Sequence, residues 1–280
     1  MWPRAALGLA VLACAGCGTA HHETLALKRA QAAKPAGLRI GVVGPLRIDV
    51  PGVTPQHGTL ARTAGLPLVL VSAKGAGLAT VAAVAQLHPG SHFALVGAAT
   101  KGERRPNLVG LVLRDDQAAR LAGVVAGLVA NDVGGETPRV AWVGPQERGL
   151  AAAFGNGAHD AYAQTLVLHQ WSRRVPARCK EAALTAIGRG AVLVMAHGGS
   201  CADAAADAAH QQNVPALRIS DFELPSVAAD LVARDATAGV YHGGEDIVFG
   251  ASSGAIAIRS LDPRISLGTV VRARAVAGPG

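Results

Sequence analysis

The sequence predicts an α/β protein of two lobes, each a mostly parallel sheet flanked by helices. Three observations carry that expectation. Short apolar runs rich in Val, Leu and Ile alternate with Ala-rich stretches of helical period along most of the chain, which is the pattern of successive βα units. The alternation recurs on both sides of residue 136 and so suggests two similar lobes. The 280 residues suffice for two units of ordinary domain size, and 35 Gly and 15 Pro supply many short turns between packed elements.

The N-terminal stretch carries a processing signal. Arg4 precedes an apolar run over 5–15 that has signal-peptide length and is too short to span a bilayer. Small residues lead into Cys17, an arrangement that resembles a bacterial lipobox, with Cys14 as the competing site. The expectation is a lipoprotein signal peptide over 1–17, lipidation of Cys17, and a flexible tether over 18–37. That would hold the fold at the extracytoplasmic face of the cell membrane. The plainer reading is an ordinary secretory signal with incidental cysteines. His21 and His22 in the tether lack further ligands, and no metal or other cofactor is expected.

The first lobe is expected over 38–136. Residues 38–43 read as its first strand. Residues 44–67 contain Pro45, Pro51, Pro55 and Pro67 and show no helical period until about residue 60, so the first βα unit reads as shortened. A strand over 67–72 runs into Lys74-Gly75-Ala76-Gly77. That turn lacks the Gly-Lys-Ser/Thr order of a phosphate loop and reads as a plain entry to a helix ending near 87. Strands over 92–97 and 107–113 follow, then a helix over 118–131 capped by Asp115 or Asp116. The Gly- and Pro-containing residues 134–138 form the expected boundary between lobes.

The second lobe is expected over 137–235. A strand over 139–143, a helix over 150–164 carrying Phe154, a strand over 166–171 and a helix from near Cys179 to 189 come in turn. Residues 191–223 form the most informative unit: an apolar strand, the polar turn His197-Gly198-Gly199-Ser200, an Ala-rich helix over 201–211, and a second strand over 215–220 ending on Asp221. In parallel sheets ligands gather at the carboxyl ends of the strands. Gly198 and Gly199 would let a ligand approach backbone, Asp221 would offer an acceptor, and His197 would point from a strand end toward the cleft. Residues 227–236 read as helical, 247–258 as a hairpin-like pair broken at Ser252-Ser253-Gly254, and 265–276 as a last extended piece. Residues 236–280 are therefore read as a return segment crossing between the lobes.

Cys179 and Cys201 fall at the starts of helices in successive βα units, on the same edge of a parallel sheet. In an exported protein they are candidates for a structural disulfide near the cleft. Its 22-residue loop would contribute roughly 3 kcal/mol. The alternative is a pair of free thiols; a zinc site with His197 lacks enough ligands.

Composition narrows the function classes. The net charge is +7, but Lys and Arg are scattered and no basic stripe is interleaved with aromatics, so nucleic acid is not an expected partner. Attraction to an anionic membrane surface is the milder consequence. Three Trp, two Tyr and four Phe leave few rings for stacking a flat ligand. No Ser-His-Asp, paired-carboxylate or metal constellation assembles from the sequence, so no enzyme is expected.

Several segments together resemble one family. Residues 107–123 (NLVGLVLRDDQAARLAG), 140–144 (VAWVG) with Phe154-Gly155-Asn156-Gly157, 187–191 through Gly198-Gly199 to Asp221, 239–244 (GVYHGG) and Phe249-Gly250 through Gly254 follow in the order of matching stretches in the basic membrane protein family. These are lipid-anchored substrate-binding proteins of ABC transporters related to the purine nucleoside receptor. The resemblance implies a two-lobed type I periplasmic-binding-protein fold, a purine nucleoside or similar small polar ligand closed between the lobes, and an ABC permease as partner. It implies that Asp221 holds ribose hydroxyls, that Gly198 and Gly199 form the adjacent loop, and that Phe154 lies near the cleft mouth. The chain departs from the pattern where the family reads the base. Gly44-Pro45-Leu46 replaces an Asn-Asp loop with its aromatic, Gly97 stands in place of an Asp, and Arg234 is the remaining cation expected near the hinge. The competing class is a non-transport lipoprotein, a sensor or interaction module that kept the fold and lost the solute site.

Overall fold

The structure is a computed structural model and describes residues 37–258 and 261–277. The expected signal peptide, the lipidation site Cys17, its competitor Cys14 and nearly all of the tether lie outside the described residues. Among the described residues no helix is long and apolar enough to cross a membrane.

Two all-parallel sheets organise the chain. The first contains β1 (Leu38–Val43), β2 (Val53–His57), β3 (Leu68–Ser72), β4 (His92–Val96), β5 (Leu108–Leu113) and β10 (Asp246–Phe249), in the order β10-β5-β4-β3-β1-β2. The second contains β6 (Arg139–Gly144), β7 (Leu166–Trp171), β8 (Ala191–Ala196) and β9 (Ala216–Arg218), in the order β7-β6-β8-β9. Inner strands are apolar on both faces because helices cover both faces. Leu68 and Leu70 of β3 enter one core while Val69 and Val71 enter another. Leu193 and Met195 of β8 separate from Val194 and Ala196 in the same way.

The segment that shows no helical period, 44–67, holds β2 and the single turn α1 (Leu60–Thr63). β2 pairs parallel with β1 without an intervening helix, Ile40 lying opposite Pro55. Proline is tolerated there because β2 is an edge strand. The helix α2 (Leu78–Leu87) follows β3.

The chain crosses between the sheets earlier than residue 136. Arg114 leads directly from β5 into α3 (Asp115–Val133), and α3 packs on β6 and β8 of the second sheet and on α4 (Arg148–Ala161). The α3–α4 contact is close because its residues are small. A Cβ on Gly123 would meet the Phe154 carbonyl, and one on Gly157 would meet the Arg120 carbonyl. The helices α5 (Pro176–Gly188) and α6 (Ser200–Gln211) cover the other face of the second sheet. The second crossing, Phe222–Leu224, leads to α7 (Pro225–Thr237). That helix was expected to close the second lobe, but it packs on β2 to β5 of the first sheet.

Two tail expectations are corrected. Residues 247–258 are not a hairpin: β10 joins the first sheet parallel to β5, and the chain beyond it makes a single antiparallel bridge, Glu223 with Ile256. Residues 265–276 are not extended. They form α8 (Leu267–Ala277), whose Arg272 and Thr269 reach Asp132 of α3. Val270, Val271 and Val276 favour a strand only weakly, and docking on α3 decides the outcome.

The three crossings are tied to one another. The Arg114 N–H donates to the Phe249 carbonyl at 3.0 Å, Leu224 N–H to Ala255 at 2.7 Å, and Ala257 N–H to Phe222 at 2.9 Å. A narrow three-stranded waist therefore joins the sheets.

Candidate ligand-binding cleft

A cleft of about 520 Å³ lies between the carboxyl ends of the two sheets. Each wall is made of the residues that follow a strand. On the first sheet these are Leu46 after β1, Ser72 and Lys74 after β3, Gly97 after β4 and Asp115 after β5. On the second they are Arg174 after β7, His197 to Gly199 after β8, and Arg218 to Ser220 after β9. Glu223 of the second crossing and Pro225 and Ser226 at the start of α7 close the floor.

The loop after β8 is built for close approach. Gly198 and Gly199 have φ of +106° and +63°, a region costly for other residues. A Cβ on Gly198 would also meet Pro145 at 2.9 Å. Beside it, His197 Nε2 lies 3.0 Å from Glu147 Oε2, and Arg174 donates to Glu147 Oε1 at 2.9 Å. This chain links the loops after β6, β7 and β8 into one wall. His197 rests against the buried ring of Trp142, centroids 5.6 Å apart.

Cys179 of α5 and Cys201 of α6 are both buried and joined, with Cα atoms 5.3 Å apart. The bond pins the first turn of α6, whose Ala202 and Asp203 line the cleft.

Three of the five expected ligand-binding residues, His197, Gly198 and Gly199, line the cleft; two do not. Asp221 was expected to end a strand and face the ligand. That strand stops at Arg218, and Ile219–Asp221 is a 3-10 turn whose first N–H, that of Arg218, donates to Asp221 Oδ2 at 2.9 Å. The carboxylate is turned back to cap its own turn, and Ser220 takes its place on the wall. Burial raises the Asp221 pKa, opposed by its contacts with Arg218. Phe154 is fully buried in the core, 5.7 Å from Trp142 between ring centroids, because α4 directs it beneath the sheet rather than to the cleft mouth.

The structure adds residues that sequence reading passed over. Lys74, Asp115, Arg174, Arg218 and Glu223 all line the cleft. Lys74, Asp115 and Arg174 sit just past strand ends and Arg218 is the last residue of β9, so the rule that singled out Gly198 would have found them too. Glu223 had no such signal, since it follows a turn. Burial pushes the Glu223 carboxyl up to about 7, with the charge of Asp115 and a hydrogen bond to Asp115 acting in the same direction and Lys74 opposing. Lys74, rather than Arg234, is the cation beside the hinge carboxyls. Among the described residues no Phe, Tyr or Trp lines the cleft. Among the described residues no group of three or more His, Cys, Asp or Glu could hold a metal ion.

Two parallel sheets, three crossings and a cleft at the strand ends define the type I periplasmic-binding-protein fold. No protein-family model matches the chain, and no curated protein matches it by sequence. Solved structures do match. An ABC transporter solute-binding protein from Conexibacter woesei is 19% identical with a TM-score of 0.63, over 86% of this chain and 95% of that one. Another, from Aeropyrum pernix, is 20% identical with a TM-score of 0.53, over 81% and 77%. A transcriptional activator of the comK gene from Bacillus halodurans is 14% identical with a TM-score of 0.55, over 79% and 84%. At these identities the likeness is one of fold. None of these matches points to the nucleoside-specific family that the sequence segments resemble.

Proposed function

We propose that the protein is an extracytoplasmic solute-binding lipoprotein of an ABC transporter, anchored through Cys17, that closes its two lobes on a small polar ligand and presents the closed form to a membrane permease. The observation that carries the reading is the cleft itself. Polar groups from both sheets converge on it, and three crossings tied by hydrogen bonds run between the sheets, which suits hinge closure. A ligand touching both walls has differential affinity for the closed state and shifts the population toward it. The solute-binding proteins among the structural neighbours agree with this reading.

A purine nucleoside, which the family resemblance implies, is poorly supported. Among the described residues no Phe, Tyr or Trp lines the cleft to stack a base, and Asp221 is engaged by Arg218. The reading is tested by thermal-shift screening of the full chain against amino acids, nucleosides and sugars. A ligand at about 100 times its dissociation constant stabilises by about 2.7 kcal/mol. A hit abolished by Lys74→Ala or Asp115→Ala supports binding in the cleft; no shift across the panel refutes the function. Metabolic labelling with palmitate tests the anchor: label lost in Cys17→Ala and kept in Cys14→Ala is expected, and label kept in Cys17→Ala overturns it.

A further inference from the structure

The two walls of the cleft differ in chemistry. The wall after β8 is a donor surface. Among the described residues the backbone N–H groups of Gly198, Gly199 and Ser200 donate no hydrogen bond, and they stand at the start of the 12-residue α6. Their partial positive charge suits an anion, and the nearby Arg218 guanidinium is already paired with Asp203 and Asp221. The hinge is an acceptor surface, formed by the Asp115 and Glu223 carboxyls, and the neighbouring Lys74 makes no salt bridge to either. Leu46, Val96, Leu113 and Ile219 add apolar surface to the same cleft.

We propose that the ligand is a small aliphatic zwitterion, an amino carboxylate, with its carboxylate on the Gly198–Ser200 backbone and its ammonium between Asp115 and Glu223. The inference rests on the solute-binding reading above and narrows it. A sugar or nucleoside offers the donor wall no anion and, among the described residues, finds no Phe, Tyr or Trp to stack on. A simple carboxylate satisfies one wall and leaves the hinge carboxyls without a cation.

Binding of an ammonium also favours the ionised form of Glu223, so the ligand displaces the Glu223 proton. The charged groups facing that carboxyl are Asp115 and Lys74, with Arg218, Arg174, Asp203 and His197 on the opposite wall.

Calorimetry of the full chain tests the proposal with L-leucine, L-valine, 4-methylpentanoate, 3-methylbutylamine, adenosine and D-ribose as probes, each in two buffers of different ionisation enthalpy at pH 6. The expected result is binding of leucine or valine with proton release. Each single-charge analogue should bind at least about tenfold more weakly, and Glu223→Gln and Asp115→Asn should each weaken the amino acid by a similar factor. Equal affinity for 4-methylpentanoate and leucine overturns the zwitterion. Binding of adenosine or ribose without the amino acids overturns it too, while leaving the solute-binding function standing. Silence from every probe overturns both.

Discussion

Replacing Glu223 by Gln removes one titrating proton from the hinge and nothing else of similar size. In the folded protein Glu223 loses its proton near pH 7; as an unperturbed glutamate it does so at 4.5. Between these values the folded state holds more protons than the unfolded one, so stability falls as pH rises. The contribution is fully present below 4.5 and is lost as pH rises through about 7. The difference between the two values sets a ceiling of roughly 3 kcal/mol. The cleft is open to water, which screens these charges, so the realised loss is nearer to about 2 kcal/mol. For a chain of this size that is about 4–8 °C in melting temperature. Glutamine resembles the protonated acid in shape and can still donate to Asp115. Urea unfolding of both proteins from pH 5 to pH 8 should therefore show matched stability at pH 5 and Glu223→Gln ahead by about 2 kcal/mol at pH 8. Parallel curves, or a wild type that is the more stable at pH 8, would refute the argument.

Three further outcomes follow from the packing. Joint Cys179→Ser and Cys201→Ser replacement should lower stability by roughly 3 kcal/mol, and alkylation before reduction should label neither cysteine in the native protein; free labelling of both refutes the bond. Gly123→Ala and Gly157→Ala should each cost about 2 kcal/mol or more in chemical denaturation, because the added methyl meets a carbonyl of the facing helix, whereas Gly149→Ala, whose site is open, should be near neutral. Asp262 has a fully buried side chain that accepts from the Ala216 N–H and pairs with Arg264 and His210. Burial would raise its pKa, but those partners outweigh burial and hold it low. Its stabilisation is present above 3.8 and lost as pH falls through the lowered folded value, and Asp262→Ala should cost roughly 3 kcal/mol at pH 7. Equal acid sensitivity in the variant and the wild type would count against that role.

What the sequence by itself determined was local: which stretches are strands, which are helices, and where glycine must bend the chain. β1 and β8 have the bounds their apolar runs imply, and Gly198-Gly199 is the loop that lines the cleft. The cysteine pair was legible because parallel βα units bring successive helix starts to one edge. Tertiary structure alone decided which sheet each helix joins. α3 and α7 each pack on the sheet of the strand that follows rather than the one that precedes, since the helical period specifies an apolar face but not its partner. It decided that the β-branched residues after 265 form a helix, because α3 offered them a surface. It also decided the site. Asp221 and Glu223 are two residues apart and carry the same charge, yet one caps a turn and the other lines the cleft. A carboxylate's role follows from what surrounds it, and the groups that matter here, Asp115, Lys74 and Arg218, come from distant parts of the chain.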